Sequence, residues 1–152
     1  MVLTPEFYNR VVDRLSALYD YVIIDGVADP WHPLLRAFAL PRCDYLLVPV
    51  TPSEVALTDT HAWLVDIVTT ASVQAEKIGL VVNRMRGTVG LSEAQLRQET
   101  KPWSIRAIIP ERPEWLEALN AGQPVLGRDV TSINRPLADI SADIRRVRAA
   151  RG

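Results

Sequence analysis

Four short stretches carry the residue types that could do chemistry, and each closes an apolar run: Asp25, Thr51, Asn83 with Arg84, and Pro110 with Glu111. In an open parallel sheet, ligands bind outside the carboxyl ends of the strands, so these are the positions to weigh. Asp25 follows Tyr21-Val22-Ile23-Ile24. A carboxylate there could accept a hydrogen bond from a water in a Mg²⁺ shell, because the ion keeps several waters and needs only one or two carboxylates nearby. The other reading of Asp25 is a cap on the following turn. Asn83 has an amide that both donates and accepts, which suits the edge of a base. Its other reading is a turn residue that ends a strand.

Residues that would hold a nucleotide's phosphates are not found. A phosphate loop needs glycines whose amides face the phosphates and a lysine that reaches them, in the pattern G-x-x-x-x-G-K-[ST]. The two lysines are Lys77, after Glu76, and Lys101, after Thr100, and neither follows a glycine. The chain therefore reads as the second half of a nucleotide-binding machine.

Alternating strands and helices would position these residues. Thr4 and Pro5 predict a helix to about Leu18 that packs on a sheet, with Phe7, Val11, Val12, Leu15 and Leu18 on one face. Tyr21–Asp25 predicts a first strand, apolar on both faces as in a covered parallel sheet. A loop over residues 26–33 leads to a short helix over 34–40, stopped before Pro41. Tyr45–Val50 is the second predicted strand, with Pro49 admissible only near its end. Thr51-Pro52-Ser53-Glu54 has the pattern of a capping box and predicts a helix to Thr70. Lys77–Asn83 is a third strand, and Ser92 with Gln95 is a second capping box opening a helix to Glu99. Ile105–Ile109 is a fourth strand, ended by Pro110. A helix over 114–120 closes at Gly122, and the last helix runs over 136–149 with Leu137, Ile140, Ile144 and Val147 buried. The alternation predicts an α/β fold, a mostly parallel sheet with helices on both faces, in one domain over residues 1–152.

Composition excludes several function classes. The 152 residues are 48% hydrophobic, enough for a continuous core. A net charge of -1 gives no global attraction to nucleic acid or an anionic membrane. No apolar stretch approaches the ~20 residues that span a bilayer, and no basic-then-apolar leader opens the chain. With a single cysteine, Cys43, these features lead us to expect a cytoplasmic protein without a transmembrane segment. His32 and His61 lack partners at metal-ligand spacing. Arg145, Arg146, Arg148 and Arg151 crowd the end of the last helix, where positive charge favours the dipole. We read them first as a solvated face, with a nucleic-acid patch as the weaker alternative, and the tail lacks the bulky apolar residues of a membrane anchor.

Taken together, Tyr19–Asp25, then Asp44–Glu54 (Asp-Tyr-Leu-Leu-Val-Pro-Val-Thr-Pro-Ser-Glu), Gly79–Arg84, and Ile109-Pro110-Glu111 with Ala121-Gly122-Gln123-Pro124-Val125 resemble the MinD/ParA family of deviant-Walker P-loop ATPases. CpaE/TadZ-like members are similar in the same places. The resemblance runs from about Tyr19 to Ile144 and covers the carboxyl-terminal portion only. It implies that Asp25 is the Walker B acid that organises Mg²⁺ through water. It also implies that Asn83 reads an adenine edge, that Arg84 lies along the base, and that Pro110 and Glu111 border it. The implied cofactors are ATP or ADP with Mg²⁺, and the implied partner is a second copy in a homodimer or a partner protein. The family's phosphate loop, the strand before it and the first switch segment have no counterpart here. After Asp25 the loop reads Gly26-Val27-Ala28-Asp29-Pro30, where relatives usually carry Thr/Ser and prolines.

Phosphoryl transfer rests on positioning and on neutralising phosphate charge. This chain alone is therefore expected not to hydrolyse ATP and to bind nucleotide weakly. Two functions follow: the carboxyl-terminal part of an ATPase that positions or partitions cellular cargo, or a non-enzymatic partner-binding or dimerisation module on the same fold. A receiver-like domain with Asp25 as phosphoacceptor is disfavoured, because no acidic pair precedes it.

Overall fold

A computed structural model describes residues 4–26, 29, 31–86, 90–124 and 131–150, with backbone alone for 131–133. Val27, Ala28 and Pro30 of the loop after Asp25, Val125 of the family match and Arg151 of the basic cluster lie outside the described residues. The chain divides into two compact units, one of Met1–Cys43 with Val65–Val73, the other of Asp44–Leu64 with Gln74–Gly152.

The larger unit is built on a parallel sheet of three strands, β1 (Leu46–Val50), β2 (Ile78–Met85) and β3 (Ser104–Pro110), in the order β1-β2-β3. Leu46 pairs with Ile78 and Val50 with Val82, and Gly79 pairs with Ser104. Pro49 sits on the edge strand, where a missing N–H is tolerated. The central strand β2 is buried at every position from Ile78 to Val82, as expected when helices cover both faces of a parallel sheet.

The two faces are packed differently. On one, Val50 and Val82 meet Leu57 of helix α3 (Glu54–Thr70) and Leu96 of helix α4 (Glu93–Glu99) in an apolar cluster. Ser92 caps α4 with Gln95 in the expected capping box. On the other face, helix α6 (Thr131–Ala149) brings the buried Asp143 to the sheet. The Tyr45 hydroxyl donates to Asp143 Oδ2 at 3.4 Å, Arg106 Nε lies 3.7 Å from the same oxygen, and Arg146 pairs with Oδ1. Leu137, Ile140, Ile144 and Val147 are half-buried along the expected stripe of α6. Asp143, in the middle of that stripe, is the most enclosed of them all and was not foreseen. Helix α5 (Pro113–Asn120) ends as predicted, with Gly122 at φ +60° and the Gln123 N–H donating to Ala118 O at 2.9 Å.

The smaller unit contains helix α1 (Pro5–Ser16), capped by Thr4, and a π-helical turn over Leu35–Ala39 that continues into α2 (Leu40–Arg42). Pro41 does not stop this segment, which runs on through it to Arg42. The rings of Tyr8 and Phe38 stack at 5.0 Å, and Arg36 pairs with Asp66. On α1 the half-buried face is Tyr8, Val12 and Leu15, while Phe7 and Val11 are exposed, so the predicted stripe is rotated by about one residue.

The expected strand over Tyr21–Asp25 is absent from the sheet. Ile23 is 88% exposed, and Tyr21 and Ile24 are also exposed. An apolar run makes a strand only where a neighbouring strand completes its ladder, and among the described residues no strand is laddered to this one.

Gly79 is a close-packed point of the sheet. A Cβ there would lie 2.4 Å from the Tyr45 hydroxyl oxygen and 2.7 Å from Arg106 Cγ. Gly79→Ala should therefore cost about 1–3 kcal/mol through overpacking. Thermal unfolding should read this as a midpoint lowered by roughly 2 °C or more; an unchanged midpoint would mean that the side chains over Gly79 move aside freely.

Candidate functional site at the carboxyl edge of the sheet

The carboxyl ends of all three strands converge on an open groove of about 350 Å³, lined by Thr51, Pro52, Ser53, Arg84, Arg86, Gly90 and Glu111. Its first wall exists because helix α3 begins later than expected. Ser53, not Thr51, is the capping residue: its Oγ accepts from the Ala56 N–H at 3.2 Å, and the helix opens at Glu54. Ser53 is itself a capping hydroxyl three residues before that N–H, so the box predicted from Thr51 and Glu54 does not form. Thr51 and Pro52 are left outside the helix, facing the groove.

The second wall is the end of β2. The β2–β3 register shifts between Val82 and Met85, and within this irregularity Arg84 adopts φ +60°. A left-handed conformation is uncommon for any residue but glycine and asparagine. Here the Asn83 side chain supports it, because Oδ1 accepts from the Arg84 N–H at 2.9 Å. The Glu111 N–H donates to Met85 O at 3.0 Å and ties the end of β3 to the end of β2.

Across the groove Arg86 forks onto Glu111, with Nη2 donating to Oε1 at 3.0 Å and Nε donating to Oε2. The hydrogen bond from Arg86 holds the Glu111 carboxyl below the ordinary glutamate range, and the nearby Arg84 charge acts in the same direction. Arg86 is correspondingly raised. Both side chains are exposed, so the pair orients groups more than it stabilises the fold. Gly90 closes the rim at φ +89°, with a position for a Cβ only 2.9 Å from Pro52 O.

Of the residues expected from sequence, the groove brings together Thr51, Arg84 and Glu111. Asn83 is half-buried beneath it and acts on its backbone. Pro110 lies outside the lining, and its carbonyl accepts from Trp115 Nε1 at 3.3 Å, which anchors α5. Asp25 belongs to the smaller unit, where it is exposed, and among the described residues no group of three potential metal ligands occurs. Asp29 accepts from the Trp31 N–H at 2.9 Å and His32 Nδ1 from the Leu34 N–H at 3.2 Å, so both shape the loop. Arg86, Ser53 and Gly90 were missed. The signal for Arg86 was the opposite charge on Glu111 one strand over.

The groove offers main-chain edges, two hydroxyls and a guanidinium from Arg84 that faces no fixed partner charge as close as Arg86 has in Glu111. Neither lysine lines it; Lys101 donates to Gln98 Oε1 at 2.8 Å on the surface.

No protein-family model and no curated protein matches the sequence. Solved structures do. The MinD cell division protein of Aquifex aeolicus superposes with a TM-score of 0.77 at 20% identity, over 94% of this chain and 61% of that one. A MinC:MinD cell division protein complex from the same organism gives 0.79 at 21% identity, over 95% and 59%. The cell division ATPase MinD of Pyrococcus furiosus gives 0.73 at 22%, over 95% and 59%. The chain spans about three-fifths of the length of these proteins. It has the α/β fold of the MinD ATPases. Among its described residues no helix is long and apolar enough to cross a membrane.

The ion pair at the groove has a measurable pH signature. Because the folded pKa of Glu111 is depressed, its contribution is present at neutral pH and is lost as pH falls through that lowered value. A carboxyl-detected NMR titration should place Glu111 below 4.5. Arg86→Gln should move it back up, and an unchanged titration in that variant would contradict the pairing.

Proposed function

We propose that this chain is the carboxyl-terminal part of a MinD/ParA/CpaE-like nucleotide-binding ATPase that positions or partitions cellular cargo. The observation that carries the reading is the convergence of Thr51, Arg84 and Glu111 on one groove at the carboxyl edge of a parallel sheet, in a MinD-like fold. Ligands of such sheets bind at that edge.

In this reading the groove takes the adenine end of ATP or ADP. Asn83 supplies the group that can match a base edge: Oδ1 keeps a lone pair beyond the one used by Arg84, and the amide nitrogen is a donor. Arg84 lies along the base, and the Pro110–Glu111 main chain borders it. Asp25, in the smaller unit, would be the carboxylate that meets Mg²⁺ through water. That ion, when bound, would neutralise charge on the phosphates. The sequence holds no lysine of a phosphate loop, so this chain alone would lack hydrolysis and would hold the nucleotide through its base. Assembly with a second copy or a partner protein belongs to the same proposal.

A second reading, a partner-binding or dimerisation module without turnover, draws on one observation: Tyr21, Ile23 and Ile24 present an exposed apolar run in the smaller unit. It predicts a folded chain with no nucleotide response.

Equilibrium titration with a fluorescent adenosine nucleotide separates the two. The ATPase reading expects saturable binding, competed by ADP and not by GDP, and weakened about tenfold or more in Asn83→Ala; tenfold corresponds to the loss of about 1.4 kcal/mol. Saturable binding that Asn83→Ala leaves intact would remove Asn83 from the site, and no adenosine binding at millimolar nucleotide would favour the module.

A further inference from the structure

Among the described residues that line the groove at the carboxyl edge, Glu111 brings the one carboxylate, and Arg84 and Arg86 bring two guanidiniums. Glu111 does not meet the groove alone. Met85 at the end of β2 stands opposite Pro110 at the end of β3, so the next residue on each strand is Arg86 on one side and Glu111 on the other. The Glu111 N–H, which donates to Met85 O at 3.0 Å, fixes the main chain between them. From there Arg86 closes on the carboxylate with two nitrogens, Nη2 on Oε1 at 3.0 Å and Nε on Oε2.

The two side chains are 66% and 40% exposed, and an ion pair so exposed adds little to stability. Its effect falls instead on what the groove presents to a ligand. An ionised carboxylate accepts through both oxygens and donates nothing. The base edge that complements it carries two adjacent donors. Guanine has such an edge, with its N1–H beside the N2 amino group, whereas adenine places the acceptor N1 beside its N6 amino group. The fork of Arg86 takes up both oxygens in the bidentate geometry that a guanine edge would need, and it neutralises their charge.

We propose that Arg86 sets the base preference of this site: by forking onto Glu111 it withholds that carboxylate from guanine and leaves the groove to adenine. The inference rests on the reading of the groove as a nucleotide site and names the pair that makes it selective. A site becomes specific either by improving contacts with one ligand or by denying contacts to its competitor, and Arg86 works in the second way. It acts through Glu111, as a positioning residue. A bidentate contact to a base edge discriminates by about tenfold or more, so its release should be measurable.

Ribose-labelled ADP and GDP, each titrated directly into the full chain, give the ratio of the two dissociation constants. That ratio cancels whatever the lost arginine charge does to the phosphates, which both ligands share. The unaltered chain should prefer ADP, and Arg86→Ala should shift the ratio toward GDP by about tenfold or more. In the double variant Arg86→Ala with Glu111→Gln the preference for ADP should return, because an amide sets a donor beside an acceptor and no longer matches two donors. Arg86→Met, which keeps a long side chain without its donors, takes the place of Arg86→Ala should that variant fail to fold. Tighter binding of GDP by the unaltered chain would overturn the proposal. So would an unchanged ratio in the Arg86 variant with both nucleotides bound, and this result would leave the nucleotide site standing. A shift toward GDP that persists in the double variant would also overturn it, since guanine would then bind without the carboxylate. If neither nucleotide binds at millimolar concentration, the reading of the groove as a nucleotide site falls and takes this inference with it.

Discussion

The larger unit depends on one constraint: β2 is covered on both faces from Ile78 to Val82, and the strand's own polar residues come at its carboxyl end. From Ile78 to Val82 every position is buried, and the first side chains able to reach water are those of Asn83 and Arg84. Both covers need room. On one face Leu57 and Leu96 pack on Val82. On the other, Gly79 gives up its side chain so that Tyr45 and Arg106 can cross the strand toward Asp143. A buried carboxylate is costly unless paired, and here two arginines and a tyrosine hydroxyl share it. Burial in turn pushes the Tyr45 hydroxyl up. The sheet, its two helical layers and the position of the groove follow from how that one strand is enclosed.

The groove combines this rigidity with local departures from regular structure. Parallel strands end where their ladders end, and at that edge the backbone takes conformations that sheets avoid. Arg84 stands at φ +60°, supported by its neighbour's carboxamide, and Gly90 at φ +89° against Pro52. A non-glycine residue in the left-handed region, as Arg84 is, persists when its surroundings determine it. The fork of Arg86 on Glu111 links the ends of adjacent strands and fixes the charge that a ligand would meet.

Much of this was legible in the chain. The alternation of apolar runs and capped helices specifies a parallel α/β sheet, and Ser92–Gln95 and Gly122 punctuate it where local chemistry demands. What could not be read has physical causes. Ser53 outcompeted Thr51 as a cap because two capping hydroxyls stand two residues apart, and only the geometry of the helix start chooses between them. Asp143 lies on an apolar stripe, where its burial depends on Tyr45 and Arg106, brought by other elements, as well as on Arg146 of its own helix. Tyr21–Asp25 has the composition of a strand, yet a strand is a property of a pair. With no strand paired to it among the described residues, Tyr21, Ile23 and Ile24 stay exposed. For the same reason Asp25 is the site residue about which the fold says least.

We propose an adenine-nucleotide site at the carboxyl edge of the sheet. Amide NMR of the chain titrated with ADP and Mg²⁺ tests it most directly. The account predicts saturable shifts concentrated at Thr51, Asn83–Arg86 and Glu111, with the Asp143 face of the sheet unmoved. Shifts spread evenly over the surface, or centred away from that edge, would contradict it.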